Sequence, residues 1–157
     1  MVSVGQPLPA FSVLAAVSGR TVSPALFAGT GVLVVHGAKT ADAAKEVSKA
    51  VRTKWPQPGA VALATVVDLR AFAGIWKKVA EAQLKSTYEK LAAKAKEAGM
   101  DPAEQVLIGT DWDGAASQTL GVEKPDEEAV AYVLQGGKVT AVCKGKEMAA
   151  AVVAALT

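Results

Sequence analysis

The chain has 157 residues, 51% of them hydrophobic and 20% charged, with a formal net charge of +2. That length suits one domain with a core of its own, and the composition excludes a disordered chain. The small net charge asks for neither nucleic acid nor an anionic membrane as partner, and a lone cysteine, Cys143, excludes an intramolecular disulfide.

The first segment, Gly5 to Phe11, is held extended by Pro7 and Pro9, which bias their predecessors away from helix. Phe11 to Val17 reads as a short strand, and Ser18-Gly19-Arg20 as a turn. Ser23 followed by Pro24 has the pattern of an N-cap and first helical residue, opening one turn up to Phe27. Gly31 to His36 contains the β-branched run Val32-Leu33-Val34-Val35, the mark of a strand buried on both faces. Thr40 to Lys54 is helical, with Ala44, Val47 and Val51 on its apolar side, and Trp55 to Gly59 ends it. Ala60 to Val67 reads as a second buried strand. From Ala71 to Gly99 the period becomes helical: Phe72, Ile75, Trp76 and Val79 stand at core spacing, and Leu84, Tyr88 and Leu91 continue the stripe with some drift. Gly99 suits the position just past that helix.

Asp101-Pro102 restarts the chain, and Gln105 to Gly109 reads as a third strand. Asp111 or Asp113 can cap a short helix through Leu120. Ala129 to Leu134 and Val139 to Lys144 flank Gln135-Gly136-Gly137-Lys138, a hairpin signal. Lys146 to Leu156 closes the chain as a helix. The order is β, β, α, β, α, β, α, β, β, α. Its alternating middle implies parallel strands with right-handed crossovers, and its final hairpin is antiparallel. The expectation is one α/β domain over 1–157, with a mixed central sheet and helices on both faces. No repeat or low-complexity linker interrupts it. The longest apolar runs, Ala60 to Val67 and Met148 to Leu156, fall far short of a membrane span. Met1 to Phe11 lacks the basic start and apolar run of a signal peptide, so a cytoplasmic location is expected.

Three stretches resemble the thioredoxin superfamily, and more closely its peroxiredoxin-like branch. They are Val4 to Phe11 with Ser18 to Ser23, then Gly31 to His36 leading into a helix, and Asp111 to Val122 followed by Tyr132 to Leu134 and Gly137 to Val139. The resemblance spans nearly the whole chain and implies a three-layer sandwich. It also implies a reactive thiolate at the start of the helix after the buried strand, where the dipole and free N–H groups lower a thiol pKa. The chain departs from the pattern there. Laying Thr40 on the peroxidase threonine puts Ala43 at the cysteine position, and the thioredoxin register puts Ala41 and Ala44 at the two cysteines. Glu127-Glu128-Ala129, before the hairpin, supplies neither the proline nor the arginine of those families.

The remaining candidates each have an ordinary reading beside a functional one. Cys143 is a small sheet residue, or a single-cysteine redox site beside Lys144. His36, the only histidine, ends a central strand where open α/β sheets place their sites; it is a structural residue there, or the base or haem ligand of a small-ligand carrier. Thr40 and Asp42 open a long helix as caps, or as part of an anion site. Asp111 and Asp113 are a cap and a solvent-facing pair, or a weak cation or acid–base site. Trp76 fits the core stripe, while Trp55 and Trp112 sit at element ends, where they cover the core edge or mark an interface. Lysines concentrate on the two long helices and carboxylates in the later third, a dipolar surface suited to orienting a partner. The function expected is a non-catalytic interaction or accessory subunit. It would have a protein partner, possible self-association and no cofactor, and would use no nucleic acid and no membrane span. The alternatives are the Cys143 redox protein and the His36 ligand or haem carrier.

Overall fold

A computed structural model describes residues 1–72 and 74–157. The strands are β1 (Val13–Ala15), β2 (Thr21–Val22), β3 (Thr30–Gly37), β4 (Ala62–Asp68), β5 (Ile108–Asp111), β6 (Val130–Gln135) and β7 (Lys138–Lys144). The helices are α1 (Ala41–Lys54), α2 (Lys77–Glu97), α3 (Pro102–Gln105), α4 (Ala115–Thr119) and α5 (Met148–Leu156). Together the strands form one sheet in the order β2-β1-β5-β4-β3-β6-β7. β5, β4 and β3 run parallel, β6 and β7 are antiparallel to β3 and to each other respectively, and β1–β2 is an antiparallel edge hairpin. The mixed sheet and C-terminal hairpin expected from the sequence are both present.

The long apolar runs form the sheet centre because alternate residues feed two cores. One core holds Leu33, Val35, Val66, Leu120 and Tyr132, under the N-terminal segment, the turn at Phe27 and α4. The other holds Val32, Val34, Leu63 and Val133, under Ala44, Val47 and Val51 of α1 and Val152 of α5. The Tyr132 hydroxyl is satisfied by donating to the Leu120 carbonyl at 2.9 Å, which lets a phenol sit fully buried.

Several sequence expectations need correction. The first strand shrinks to three residues, because Val17 adopts a positive φ of 67° and turns the chain into β2. The strand expected from Gln105 begins at Ile108 instead. Asp101 accepts the Ala103 N–H at 3.0 Å and Pro102 opens α3, so Gln105 belongs to a helical turn. The long helix begins at Lys77. Before it, Arg70–Phe72 and Gly74–Trp76 are separate 3₁₀ turns, and Gly74 has φ +69°; position 73 lies outside the described residues. Ile75, Trp76 and Val79 are therefore not core residues: they are 84%, 58% and 53% exposed. α2 instead buries Ala80, Ala92 and Ala95. The final helix starts at Met148.

Candidate functional site

β3, β4 and β5 end in register, so Gly37, Asp68 and Asp111 stand in a row across the carboxyl edge of the parallel strands. That is the edge at which open α/β sheets carry sites. His36 lies one residue before it, only 7% exposed. Its Nδ1 is 2.8 Å from the Gly37 carbonyl oxygen, so Nδ1 carries the proton and donates. Burial pushes the His36 pKa down, against smaller upward pulls from the Gly37 hydrogen bond and Asp126, while Lys45 adds to the lowering. The ring is accordingly neutral at pH 7.

After Gly37 the chain makes a 3₁₀ turn, Ala38–Thr40, and enters α1. Such a start exposes N–H groups that need acceptors. Thr40 accepts the Gly37 N–H on its hydroxyl at 2.9 Å and donates that hydroxyl to the Pro125 carbonyl. Asp126 accepts the Lys39 N–H at 3.1 Å. A Cβ on Gly37 would collide with the Asp126 carboxylate, so glycine is what lets that loop close over the turn. Thr40 stands at the N-cap position of α1 but makes no side-chain cap bond to the helix, and Asp42 is an exposed first-turn residue.

Asp68 is buried and takes a bidentate pair from Arg70, Nη2 donating to Oδ2 at 2.7 Å and Nε to Oδ1 at 3.2 Å. Asp111, expected to face solvent, is 2% exposed. Its carboxylate accepts the N–H groups of Ala116 (3.2 Å) and Ser117 (2.8 Å) and the Ser117 hydroxyl (2.9 Å). Asp113 caps the same helix through the Ala115 N–H at 3.0 Å. Both aspartates are thus committed to α4. Trp112 follows Asp111 on this edge, half-buried, with the Lys77 ammonium 4.9 Å from its ring centre.

The structure therefore gathers His36 and Thr40 at one turn and puts Trp112 on the same sheet edge. Cys143 is elsewhere. It sits opposite Ala131 on β7, 6% exposed, packed in the α1–α5 core, and burial raises its thiol pKa. Three residues of the site escaped the sequence reading: Asp126, Asp68 and Arg70. Asp126 comes from a loop 87 residues away from Lys39 in sequence and has no local signal. The Asp68-x-Arg70 spacing right after a buried strand is a pattern that could have flagged the other two. Among the described residues no group of three or more histidine, cysteine or acidic side chains gathers as a metal site would require, and no helix is long and apolar enough to cross a membrane.

No family model matches the chain, and no curated protein matches it. Solved structures do. A proposed protein disulfide isomerase from Bacteroides thetaiotaomicron superposes with a TM-score of 0.63 at 16% identity, over 98% of this chain and 87% of its own. A proposed thiol:disulfide interchange protein DsbE from Chlorobium tepidum gives 0.60 at 16% identity, over 100% of both chains. The exposed lipoprotein thioredoxin Etrx1 of Streptococcus pneumoniae gives 0.60 at 16% identity, over 94% of this chain and 97% of its own. At such identities the likeness establishes the fold, which is thioredoxin-like. Those neighbours are named for thiol–disulfide chemistry, whereas this chain has one cysteine.

Proposed function

We propose that the protein is a non-catalytic member of the thioredoxin superfamily, akin to its peroxiredoxin-like branch, that works as a binding or accessory subunit. One observation carries the reading. The first turn of α1, where the resemblance would put a thiolate, holds Ala41, Ala43 and Ala44 in place of cysteine, and the turn leading into it is closed by Thr40 and Asp126 on the Gly37 and Lys39 N–H groups. A thiolate draws its low pKa from the free donors of such a helix start; here no thiol stands there to use them. Ile75, Trp76 and Val79 stand exposed at the start of α2, and the Trp112 edge is tied to that start through Lys77. Exposed aromatic and aliphatic residues of this kind support a protein partner. The cytoplasm, where one buried cysteine is unremarkable, is the compartment that goes with this reading.

The test is disulfide reduction and peroxide turnover by the wild-type chain and Cys143→Ser, with a dithiol as reductant. Neither protein is expected to exceed the dithiol alone. Turnover that survives Cys143→Ser would falsify the non-catalytic reading, and turnover lost with Cys143 would transfer the role to that residue. The ligand-carrier alternative gains one specific observation, a cavity that His36 helps to line.

A further inference from the structure

A cavity of about 710 Å³ lies between α1, α2 and β4, a size that takes a whole small ligand. Leu63, Thr65, Val67 and Leu69, alternate residues and so one face, form its floor. From Leu63 to Leu69 the floor runs about 20 Å at roughly 3.3 Å per residue. α2 lines this side with Ala80, Leu84, Thr87, Leu91 and Ala95, and its buried members there, Ala80 and Ala95, lack the volume to reach the sheet.

The two ends differ in chemistry. β3, β4 and β5 are parallel, so α1 and α2 both run back from the carboxyl edge and their last turns lie toward the other end. Lys49 and Arg52 of α1, Lys94 of α2 and Gln105 line the cavity from these parts of the chain. At the opposite end stand Val67, Leu69, Phe72 and Ala80, with His36. Burial keeps the His36 ring neutral, so the cation at this end is Lys45, which also lines the cavity beside His36. Among the described residues no aspartate or glutamate lines the cavity, and none of its lining cations makes an ion pair.

Arg52 is the focus of the more strongly charged end. Its Nη1 donates to the carbonyls of Val61 (2.8 Å), Trp55 (3.2 Å) and Gln57 (3.4 Å), which pins the guanidinium. Its Nε and Nη2 are shielded from solvent and meet no acceptor in the protein. Those two atoms form the edge that pairs side-on with a carboxylate. Gln105 is pinned likewise, through Nε2 on the Pro56 carbonyl at 3.0 Å, with Oε1 unpartnered. Buried donors on a cation are costly to leave unpaired, and an anionic head group that reaches them relieves that cost.

We infer that this cavity binds one linear apolar carboxylate of the fatty-acid class, its head at Arg52, Lys49 and Lys94 and its tail along Thr65 and Val67 toward Leu69. The site is independent of the thiol question: the turnover assay is blind to it, and its failure would leave the non-catalytic reading intact.

Calorimetric titration of delipidated protein with dodecanoate, below its micellar concentration, tests the inference, with dodecan-1-ol as the neutral analogue. A single saturable site is expected, with the alcohol weaker by about tenfold or more. Arg52→Gln is expected to narrow that gap. Because Arg52 also holds three carbonyls, Lys94→Glu is the second charge variant; it sits on the exposed rim and should weaken dodecanoate by about fivefold or more. Thr87→Trp fills the cavity from α2 without touching Arg52, and should abolish binding with the far-ultraviolet spectrum unchanged. No saturable dodecanoate binding, equal affinity for the alcohol, or undiminished binding in Thr87→Trp would each overturn the assignment.

Discussion

His36 shows how one buried side chain turns position into pH dependence. Its ordinary pKa is 6.5, and burial holds it lower in the fold. As pH falls, the unfolded chain therefore takes up this proton first, and proton uptake by the unfolded state costs stability. The His36 contribution is whole above about 6.5 and drains away between that value and the lowered folded one. The urea midpoint should fall between pH 7.5 and pH 5, above the range where ordinary carboxylates titrate. His36→Gln keeps a donor for the Gly37 carbonyl but has nothing to titrate, so its midpoint should be flatter over the same window. A slope equal in both proteins would mean the dependence comes from other groups. The location of His36 at a strand end was legible from the run before it. Its neutrality was not, because desolvation depends on what α1 and the Asp126 loop bring to it.

At the scale of elements, the apolar runs were easy to read and the long helix was not. Val32 to Val35 and the strand up to Asp68 could be placed because a strand buried on both faces needs only a continuous run. In α1, Ala44, Val47 and Val51 were read correctly because the stripe and the stop agree. In α2 the period was counted through residues that are not one helix. Gly74, with φ +69°, and two 3₁₀ turns separate Phe72 and Ile75 from Lys77, so a 3.6-residue phase carried across them has no single face. Alanine then hides the true contact side, since Ala80, Ala92 and Ala95 give little hydrophobic contrast. Ile75→Glu with Val79→Glu should therefore leave the unfolding free energy within about 0.5 kcal/mol of wild type. Val47→Ala, inside the core, should cost roughly 2 kcal/mol. Denaturant unfolding of the variants decides it: a large loss in the double variant would restore the stripe to the core. Asp111 carries the same lesson. Its spacing to Asp113 said cap, and both do cap α4, but only the fold could say that one is sealed from water while the other is not.

Over the whole molecule, stability is unevenly spread, and the inequality follows from how each element is tied. β3 is hydrogen-bonded along both sides, to β4 and β6, and Val32 to Val35 are fully buried. α2 is 21 residues long, yet its buried residues are three alanines. Burying an alanine contributes a small fraction of what a leucine does, so α2 should open without unfolding the sheet. Native-state amide exchange should find β3 and β6 exchanging only through global unfolding, and the middle of α2 exchanging faster by on the order of 100-fold. Exchange in α2 as slow as in β3 would make the domain a single cooperative unit and refute this division. The distinction bears on the cavity, because α2 is its roof. A roof held by alanines lifts at low cost, and lifting it exposes Val67 and Leu69 while Arg52 stays pinned to the carbonyls at the end of α1. The same small residues that leave the space also provide the way into it.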